Sequence, residues 1–167
     1  MPSATSNWLS LEDALQHTLA LTPTVSESET VSLSEALTRI AAGDVVAPAN
    51  VPPWANSAMD GYAVCLSDLP HSDRLPVSAT VLAGNPDTAP LFPGTVARIM
   101  TGAPLPSNAD TVIIKENAIE EDSHVRFTNV PSKGDNIRSC GSDITKGDRI
   151  ISSGTKLTPA HLMLLAS

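Results

Sequence analysis

The sequence predicts an α+β fold that is mostly β: a small β-barrel or sandwich domain inserted in a short α/β linker domain, with an amphipathic N-terminal helix. Helical spacing and helix-capping residues are confined to the two ends of the chain, whereas most of the fourteen prolines lie in the middle. The middle also carries short Val/Ile runs separated by Pro, Gly, Asn and Asp, a pattern typical of strands joined by turns.

The N-terminal helix has recognisable start and stop signals. Ser10 with Asp13 three residues later is an Asp-type capping box, and the leucines that follow recur at helical spacing as far as Leu19. Pro23 then ends the helix. One face of this helix is apolar, so we expect it to pack on another part of the protein.

Two further helices are predicted. Ser32 with Glu35 forms a capping box, and Gly43 lies where the C-terminal cap of that helix is expected. Thr158 followed by Pro159 starts a helix that stays apolar to the last residue and has no C-cap. Because an uncapped apolar half-helix exposes surface that is normally buried, we expect the chain to be truncated there.

These signals divide the chain into three parts: an N-terminal helix in residues 1–24, a truncated linker domain in residues 25–46 and 146–167, and a β-rich domain in residues 47–145. The acidic run Glu120–Asp122 is interpreted as a solvated hairpin tip. The predicted strands are Asp44–Ala47, Gly61–Val64, Val77–Leu82, Val96–Met100, Thr111–Lys115, His124–Asn129 and Arg149–Ile151.

Composition excludes several classes of function. A net charge of -8 argues against a general nucleic-acid or anionic-membrane surface. The sequence has no apolar run of membrane-spanning length and no secretory signal. Cys65 and Cys140 are far apart and form no CxxC, which fits free thiols in a reducing cytoplasm. We therefore expect a cytoplasmic protein without nucleic-acid or membrane partners.

One acid at a strand start is the first candidate for chemistry. Asp60 lies at a turn that leads directly into the predicted strand Gly61–Val64, and Asn56 and Ser57 precede it. An acid there, flanked by short polar side chains, suits a metal or substrate site. The simpler alternative is an ordinary turn acid, with Asn56 and Ser57 shaping the turn.

Other candidates follow at strand ends and turns. Thr101 and Gly102 come after a predicted strand, where a hydroxyl and an exposed N–H suit an oxyanion or phosphate contact. Asp143 reads either as a turn acid or as a site acid. Arg138 is either its counter-ion or an anion contact. Glu116 is interpreted as structural.

Three separated stretches carry a resemblance. Residues 51–64 read VPPWANSAMDGYAV, residues 98–106 read RIMTGAPLP, and Asn136-Ile137-Arg138 is followed by Gly141 and Asp143-Ile144. In residue identity, order and spacing they resemble the molybdopterin molybdenumtransferases, the MoeA/gephyrin E-domain family. The resemblance covers essentially the whole chain but only the N-terminal portion of the family's usual length. The chain departs from the family pattern at Trp54-Ala55, where Phe-Asp is frequent, and at Ser142, where Glu is frequent.

The resemblance implies an enzyme of molybdenum cofactor biosynthesis that inserts molybdate into adenylylated molybdopterin and releases AMP. It also implies a homodimer and a later α/β domain that is similar to the molybdopterin adenylyltransferases. A protein of the molybdopterin adenylyltransferase type is implied as a possible pathway partner. Mg²⁺ is implied as a bridge between carboxylates and substrate phosphates. The residues implied as catalytic are Asp60, Thr101 and Asp143, those implied as substrate-binding are Asn56, Ser57, Gly102 and Arg138, and the candidate metal ligands are Asp60 and Asp143.

The charge of the N-terminal third is informative about what the chain lacks. The substrates that the resemblance implies are anions. Residues 1–60, however, contain one basic residue, Arg39, and seven acidic residues: Glu12, Asp13, Glu27, Glu29, Glu35, Asp44 and Asp60. Such a surface repels anions unless a cation or another segment compensates. We therefore expect the isolated chain to be inactive. The alternative is a non-catalytic dimerisation or protein-interaction module derived from the same family.

Overall fold

The computed structural model describes residues 8–71, 74–84 and 88–167, and strands outnumber α-helices in this part of the chain. The helices are α1 (Leu11–Leu21) and α2 (Pro159–Ala166). The strands are β1 (Val45–Val46), β2 (Asn56–Ser57), β3 (Gly61–Val64), β4 (Leu75–Val81), β5 (Val96–Ile99), β6 (Thr111–Ile114), β7 (Ala118–Glu121), β8 (His124–Phe127), β9 (Ile137–Arg138) and β10 (Arg149–Ile151). The prediction of a mostly β fold with an N-terminal helix is confirmed.

Six of the strands form one sheet with the order β6-β3-β5-β4-β8-β7. The pair β4–β5 is parallel, and the other pairs in this sheet are antiparallel. Two small antiparallel pairs, β1–β10 and β2–β9, accompany the sheet. These short pairs join segments that are distant in sequence.

The chain divides into two compact units, which we call unit 1 and unit 2. Unit 1 comprises Met1–Ala42 and Lys156–Ser167, and unit 2 comprises Gly43–Thr155. Residues 1–7 of the predicted N-terminal segment lie outside the described residues. The predicted boundaries of the three parts stay a prediction. Neither helix of the described ranges has the length and apolar character that a membrane crossing requires.

Strand β3 is the centre of unit 2 because both of its faces are buried. Successive side chains of a strand point to opposite faces. Ala63 packs on one face in a cluster of Ala63, Val81, Leu91, Ala97, Ile99, Ala103 and Val112. Tyr62 and Val64 pack on the other face in a cluster of Tyr62, Val64, Leu75, Val96, Ile113 and Val125. Aliphatic side chains dominate both clusters, as the low aromatic content requires.

The predicted helix at Ser32 is wrong beyond its first turn. The capping box between Ser32 and Glu35 is present, but it caps only a 3₁₀ turn at Leu33–Glu35. Thr38 then has a φ of 67°, which is outside the helical region. The N–H of Thr38 donates to the carbonyl of Leu157 at 3.0 Å, and the Leu157 N–H donates to the carbonyl of Arg39 at 2.8 Å. Pairing with a distant segment therefore replaces the local helix.

The other two helix starts are confirmed. The N–H of Asp13 donates to Ser10 Oγ at 3.1 Å, and the Ser10 hydroxyl donates to Asp13 Oδ2 at 2.7 Å. Thr158 caps α2, and its own N–H donates to His161 Nδ1 at 3.1 Å. The side chains of α1 are not buried, so the apolar stripe of this helix is exposed in the chain.

We expect the amides of α1 to exchange rapidly with solvent in the 167-residue chain. Leu11 and Leu19 are 88% and 58% exposed, and isolated helices shorter than about 12–15 residues are marginal in water. Hydrogen exchange followed by NMR or mass spectrometry measures this, with β3 as the protected internal reference. Protection across α1 equal to that of β3 would contradict the expectation.

Gly61 is required by the close approach of β3 and β6. A Cβ at this position would lie 2.0 Å from the carbonyl oxygen of Ile113, which is a backbone atom and cannot rotate away. We expect Gly61→Ala to destabilise the chain by about 2 kcal/mol or more, since overpacking of this kind forces backbone shifts. Urea unfolding monitored by circular dichroism gives the free energy of unfolding.

Gly43→Ala is the matched control for this substitution. No atom lies within 4 Å of a Cβ built at Gly43, so its free energy of unfolding should change by no more than about 0.5 kcal/mol. Equal effects of the two substitutions would show that the β3–β6 approach tolerates a methyl group.

Candidate functional site

Asp60 and Thr101 form the centre of the candidate site. The N–H and the hydroxyl of Thr101 both donate to Asp60 Oδ1, each at 2.8 Å. The Lys115 ammonium lies 3.7 Å from Asp60 Oδ2. Strand register brings Asp60 and Thr101 together, because Gly61, the residue after Asp60, pairs with Ile99 of β5 and with Ile114 of β6. Asp60, Thr101 and Lys115 thus leave the sheet at the same end.

The surroundings of Asp60 favour its ionised form. The Thr101 N–H, followed by the Thr101 hydroxyl, holds the pKa of the Asp60 carboxyl below its usual value, and the charge of Lys115 acts in the same direction. A carboxylate of this kind is a good acceptor and a weak base at neutral pH. The arrangement therefore suits positioning or electrostatic work better than proton abstraction.

Strand β2 holds the loop that follows Thr101. The N–H of Gly102 donates to the carbonyl of Ser57 at 2.8 Å, and the N–H of Ser57 donates to the carbonyl of Ala103 at 3.0 Å. Gly102 has a φ of 78°, a region that favours glycine. Its N–H is thus already engaged within the chain, so an oxyanion contact through this N–H would require that bond to break.

The two polar residues of β2 are buried. The Ser57 hydroxyl donates to the carbonyl of Met59 at 2.5 Å and accepts the Met59 N–H at 3.2 Å, which closes the turn before Asp60. Asn56 is 7% exposed and pairs with Arg138 of β9. This geometry favours the alternative in which the two residues shape the turn. A direct contact of either with substrate stays a prediction.

The structure brings six of the seven predicted site residues into one connected hydrogen-bonding network, and Asp143 lies outside it. Backbone pairing, together with the hydrogen bonds from Thr101 to the Asp60 carboxylate, joins the six, namely Asn56, Ser57, Asp60, Thr101, Gly102 and Arg138. The Asp143 N–H donates to the carbonyl of Val51, and its carboxylate accepts from the Ser142 hydroxyl at 3.2 Å. Within the described residues, no hydrogen bond or ion pair joins this carboxylate to the Asp60–Thr101 pair. Its catalytic role stays a prediction.

The candidate metal ligands do not form a metal site by themselves. In the part of the chain that the structure describes, no group of three or more His, Cys, Asp or Glu side chains is placed to hold an ion. Asp60 Oδ1 already accepts two hydrogen bonds, and Asp60 Oδ2 faces a cation. A Mg²⁺ ion demands near-octahedral oxygen ligands, so the described residues do not fit it unaided.

Sequence reasoning missed a polar cluster next to Asp60. The Tyr62 hydroxyl donates to Glu120 Oε2, and the Arg98 guanidinium lies 3.7 Å from the same oxygen. Burial, followed by the hydrogen bond to Glu120, raises the pKa of Tyr62 to about 12. The acidic run Glu120–Asp122 is exposed at the end of the β7–β8 hairpin, as predicted, with the turn at Asp122 and Ser123. The contact of Glu120 with the buried Tyr62 was not predicted.

One signal could have revealed this cluster. Tyr62 and Arg98 belong to two predicted strands, and an antiparallel pairing places them directly opposite each other. The position of Glu120 had no such signal, because β7 was not predicted.

The sequence and the fold match a known family. The model of the MoeA N-terminal region (domain I and II) matches residues 9–167, so the chain belongs to this family. A molybdopterin molybdenumtransferase from Haemophilus influenzae is 43% identical over 160 residues, which cover 95% of this chain and 40% of that protein. One from Synechococcus elongatus is 35% identical over 83% of this chain and 36% of that protein.

A solved structure agrees with the sequence relatives. A molybdopterin biosynthesis MoeA protein from Pyrococcus horikoshii OT3 superimposes with a TM-score of 0.84 at 29% identity, over 93% of this chain and 42% of that chain. The chain thus spans about two fifths of the length of the relatives that it matches.

The pKa of Asp60 should rise toward its usual value in Thr101→Ala. The substitution removes the hydroxyl donor but keeps the backbone N–H, so the recovery is partial. A depressed pKa means that this carboxylate stabilises the fold fully above its usual pKa and loses that effect as the pH falls through the depressed value. Carboxyl chemical shifts followed by NMR over about pH 2 to pH 6 measure both values.

Asp44 is the internal control in the same spectra. Its pKa is lowered by the Ser153 N–H and by Arg149, which do not involve Thr101. The Asp44 titration should be the same in both proteins. An unchanged Asp60 titration in Thr101→Ala would show that the hydroxyl contributes nothing to the ionisation of Asp60.

Proposed function

We propose that this chain supplies the N-terminal part of an enzyme that inserts molybdate into adenylylated molybdopterin with release of AMP, in molybdenum cofactor biosynthesis. The observation that carries the proposal is the Asp60–Thr101 pair, which lies in two of the motifs that connect the chain to molybdopterin molybdenumtransferases. The two hydrogen bonds thus join two of the matched motifs, which are 41 residues apart in sequence, at one carboxylate.

Asp60 positions Thr101 in this proposal. Because the Thr101 N–H and hydroxyl both donate to Asp60, the Thr101 oxygen presents lone pairs to anything that approaches. It therefore accepts a hydrogen bond from a substrate N–H or O–H group. Asp60 stays ionised and fixes the orientation of that hydroxyl, so its removal would cost orientation as well as charge.

The remaining components are proposals of the same kind. Asp143 would contribute a second acid and Arg138 an anion contact, and the working form would be a homodimer in the cytoplasm. Mg²⁺ would need ligands from substrate phosphates or from outside the described residues, since those residues do not suffice. A molybdopterin adenylyltransferase-type protein would supply the adenylylated substrate.

We expect the 167-residue chain alone to have no molybdenumtransferase activity, because its relatives are about two and a half times as long. A chimera in which residues 9–167 replace the matching segment of the Haemophilus influenzae relative should be active. Reconstitution of a molybdenum-cofactor-dependent enzyme measures the activity. Turnover by the chain alone would contradict this expectation.

In the chimera, Asp60→Asn should lower activity about 100-fold or more, since a misplaced catalytic group can cost that much. Asp44→Asn is the matched control, because Asp44 also accepts a backbone N–H and pairs with an arginine, at another place in unit 2. It should leave activity within about twofold, as expected for an exposed residue away from the site. Equal activities of the two variants would refute the role of Asp60.

A further inference from the structure

A small pocket adjoins Asp60 on one face of the sheet. Its volume is about 70 Å³, and it is lined by Asp60, Gly61, Tyr62, Arg98, Met100 and Lys115. The register explains this lining, because Tyr62 faces Arg98 of β5 on one side and Ile113 of β6 on the other. Alternate residues on these strands share a face, so the side chains of Asp60, Arg98 and Lys115 gather at one place.

The two cations of this pocket are held loosely. Arg98 lies 3.7 Å from Glu120 Oε2, and Lys115 lies 3.7 Å from Asp60 Oδ2, both beyond ordinary hydrogen-bond distance. The side chains of Arg98 and Lys115 are 49% and 61% exposed. Partly exposed ion pairs of this length are weak, so either cation can turn to a new partner at little cost.

The two carboxylates that pair with these cations, Asp60 and Glu120, also accept hydrogen bonds from other residues. Asp60 retains both hydrogen bonds from Thr101, and Glu120 retains the hydrogen bond from the buried Tyr62. Arg98 can therefore leave Glu120 without leaving that carboxylate unpartnered. This arrangement differs from a structural salt bridge, in which each charge depends on the other.

The size of the pocket limits what it can hold. Pockets for whole drug-sized ligands begin at roughly 300 Å³. At about 70 Å³ the pocket takes a single group and not a nucleoside or a pterin. Two cationic donors around such a volume match a tetrahedral oxyanion in charge and in hydrogen bonding.

We propose that this pocket is a subsite for one tetrahedral oxyanion group, which Arg98 and Lys115 contact and for which Glu120 competes. The substrate class rests on the proposed function, in which both molybdate and a phosphate carry such a group. Tyr62 is a positioning residue, because it holds the Glu120 carboxylate while Arg98 moves to the anion.

The test uses the 167-residue chain and two probes, sodium molybdate and sodium phosphate, at constant ionic strength set with sodium chloride. Amide chemical shifts followed by NMR should change most at Gly61, Thr101 and Lys115 as the probe is added. A response to molybdate alone assigns the subsite to the metal oxyanion, and a response to phosphate assigns it to substrate phosphate. Absence of a saturable change at these amides with either probe overturns the proposal.

Two variants and two controls separate this subsite from general charge attraction. Arg98→Gln and Lys115→Gln should each weaken binding about fivefold or more. Arg149→Gln and Lys133→Gln remove paired surface cations elsewhere in unit 2 and should leave binding unchanged. Equal loss in the test and control variants would overturn the proposal.

Glu120→Gln distinguishes competition between Glu120 and the anion from a purely structural role of Glu120. Glutamine can still accept the Tyr62 hydroxyl but carries no charge, so binding should strengthen by about three- to tenfold through the loss of one nearby negative charge. Tyr62→Phe should leave Glu120 free to hold Arg98 and weaken binding. Weaker binding in Glu120→Gln would overturn the competition between this carboxylate and the anion.

The subsite and the proposed function can be refuted separately. Loss of molybdenumtransferase activity in Asp60→Asn with unaltered probe binding in Arg98→Gln refutes the subsite alone. Localised probe binding in a protein whose chimera is inactive refutes the proposed function and keeps the subsite.

Discussion

The contact between β3 and β6 at Gly61 is the constraint on which the rest of unit 2 depends. The backbone of β6 approaches so closely that no side chain fits between them. This approach fixes the register of β3 against β6, and β5 pairs along its other side. Since Asp60 precedes β3, while Thr101 and Lys115 follow β5 and β6, the same register sets the distances within the candidate site.

Local signals in the sequence were sufficient for some of the regular elements of the fold. Gly61–Val64 and Arg149–Ile151 were predicted with their observed bounds, and the capping residues Ser10 and Thr158 begin α1 and α2. The short strands β2 and β9 were missed because two residues carry no periodicity, and only the partner segment makes them strands. The helix predicted after Ser32 failed for the same reason, since its backbone groups pair with residues near Leu157.

The site was predictable in its composition but not in its bonding. The motifs identified Asp60 and Thr101, yet nothing in the sequence indicates that Thr101 directs both donors at one carboxylate oxygen. Arg98 and Lys115 were not assigned to the site, because only strand pairing places Arg98 opposite Tyr62 and Lys115 beside Asp60. They also place two partly exposed cations side by side in an acidic chain whose net charge is -8.

Two neighbouring residues in one motif, Asp60 and Gly61, are constrained by different interactions. Gly61 is fixed by the packing of two strands, whereas Asp60 is held to its position by a hydrogen-bonding partner on a separate loop. A descendant that lost its chemistry but kept the sheet would retain the glycine and be free to change the acid together with its threonine. In the proposed function, the Asp60–Thr101 combination, rather than the motif as a whole, is therefore the feature that would distinguish a working enzyme from an inherited scaffold.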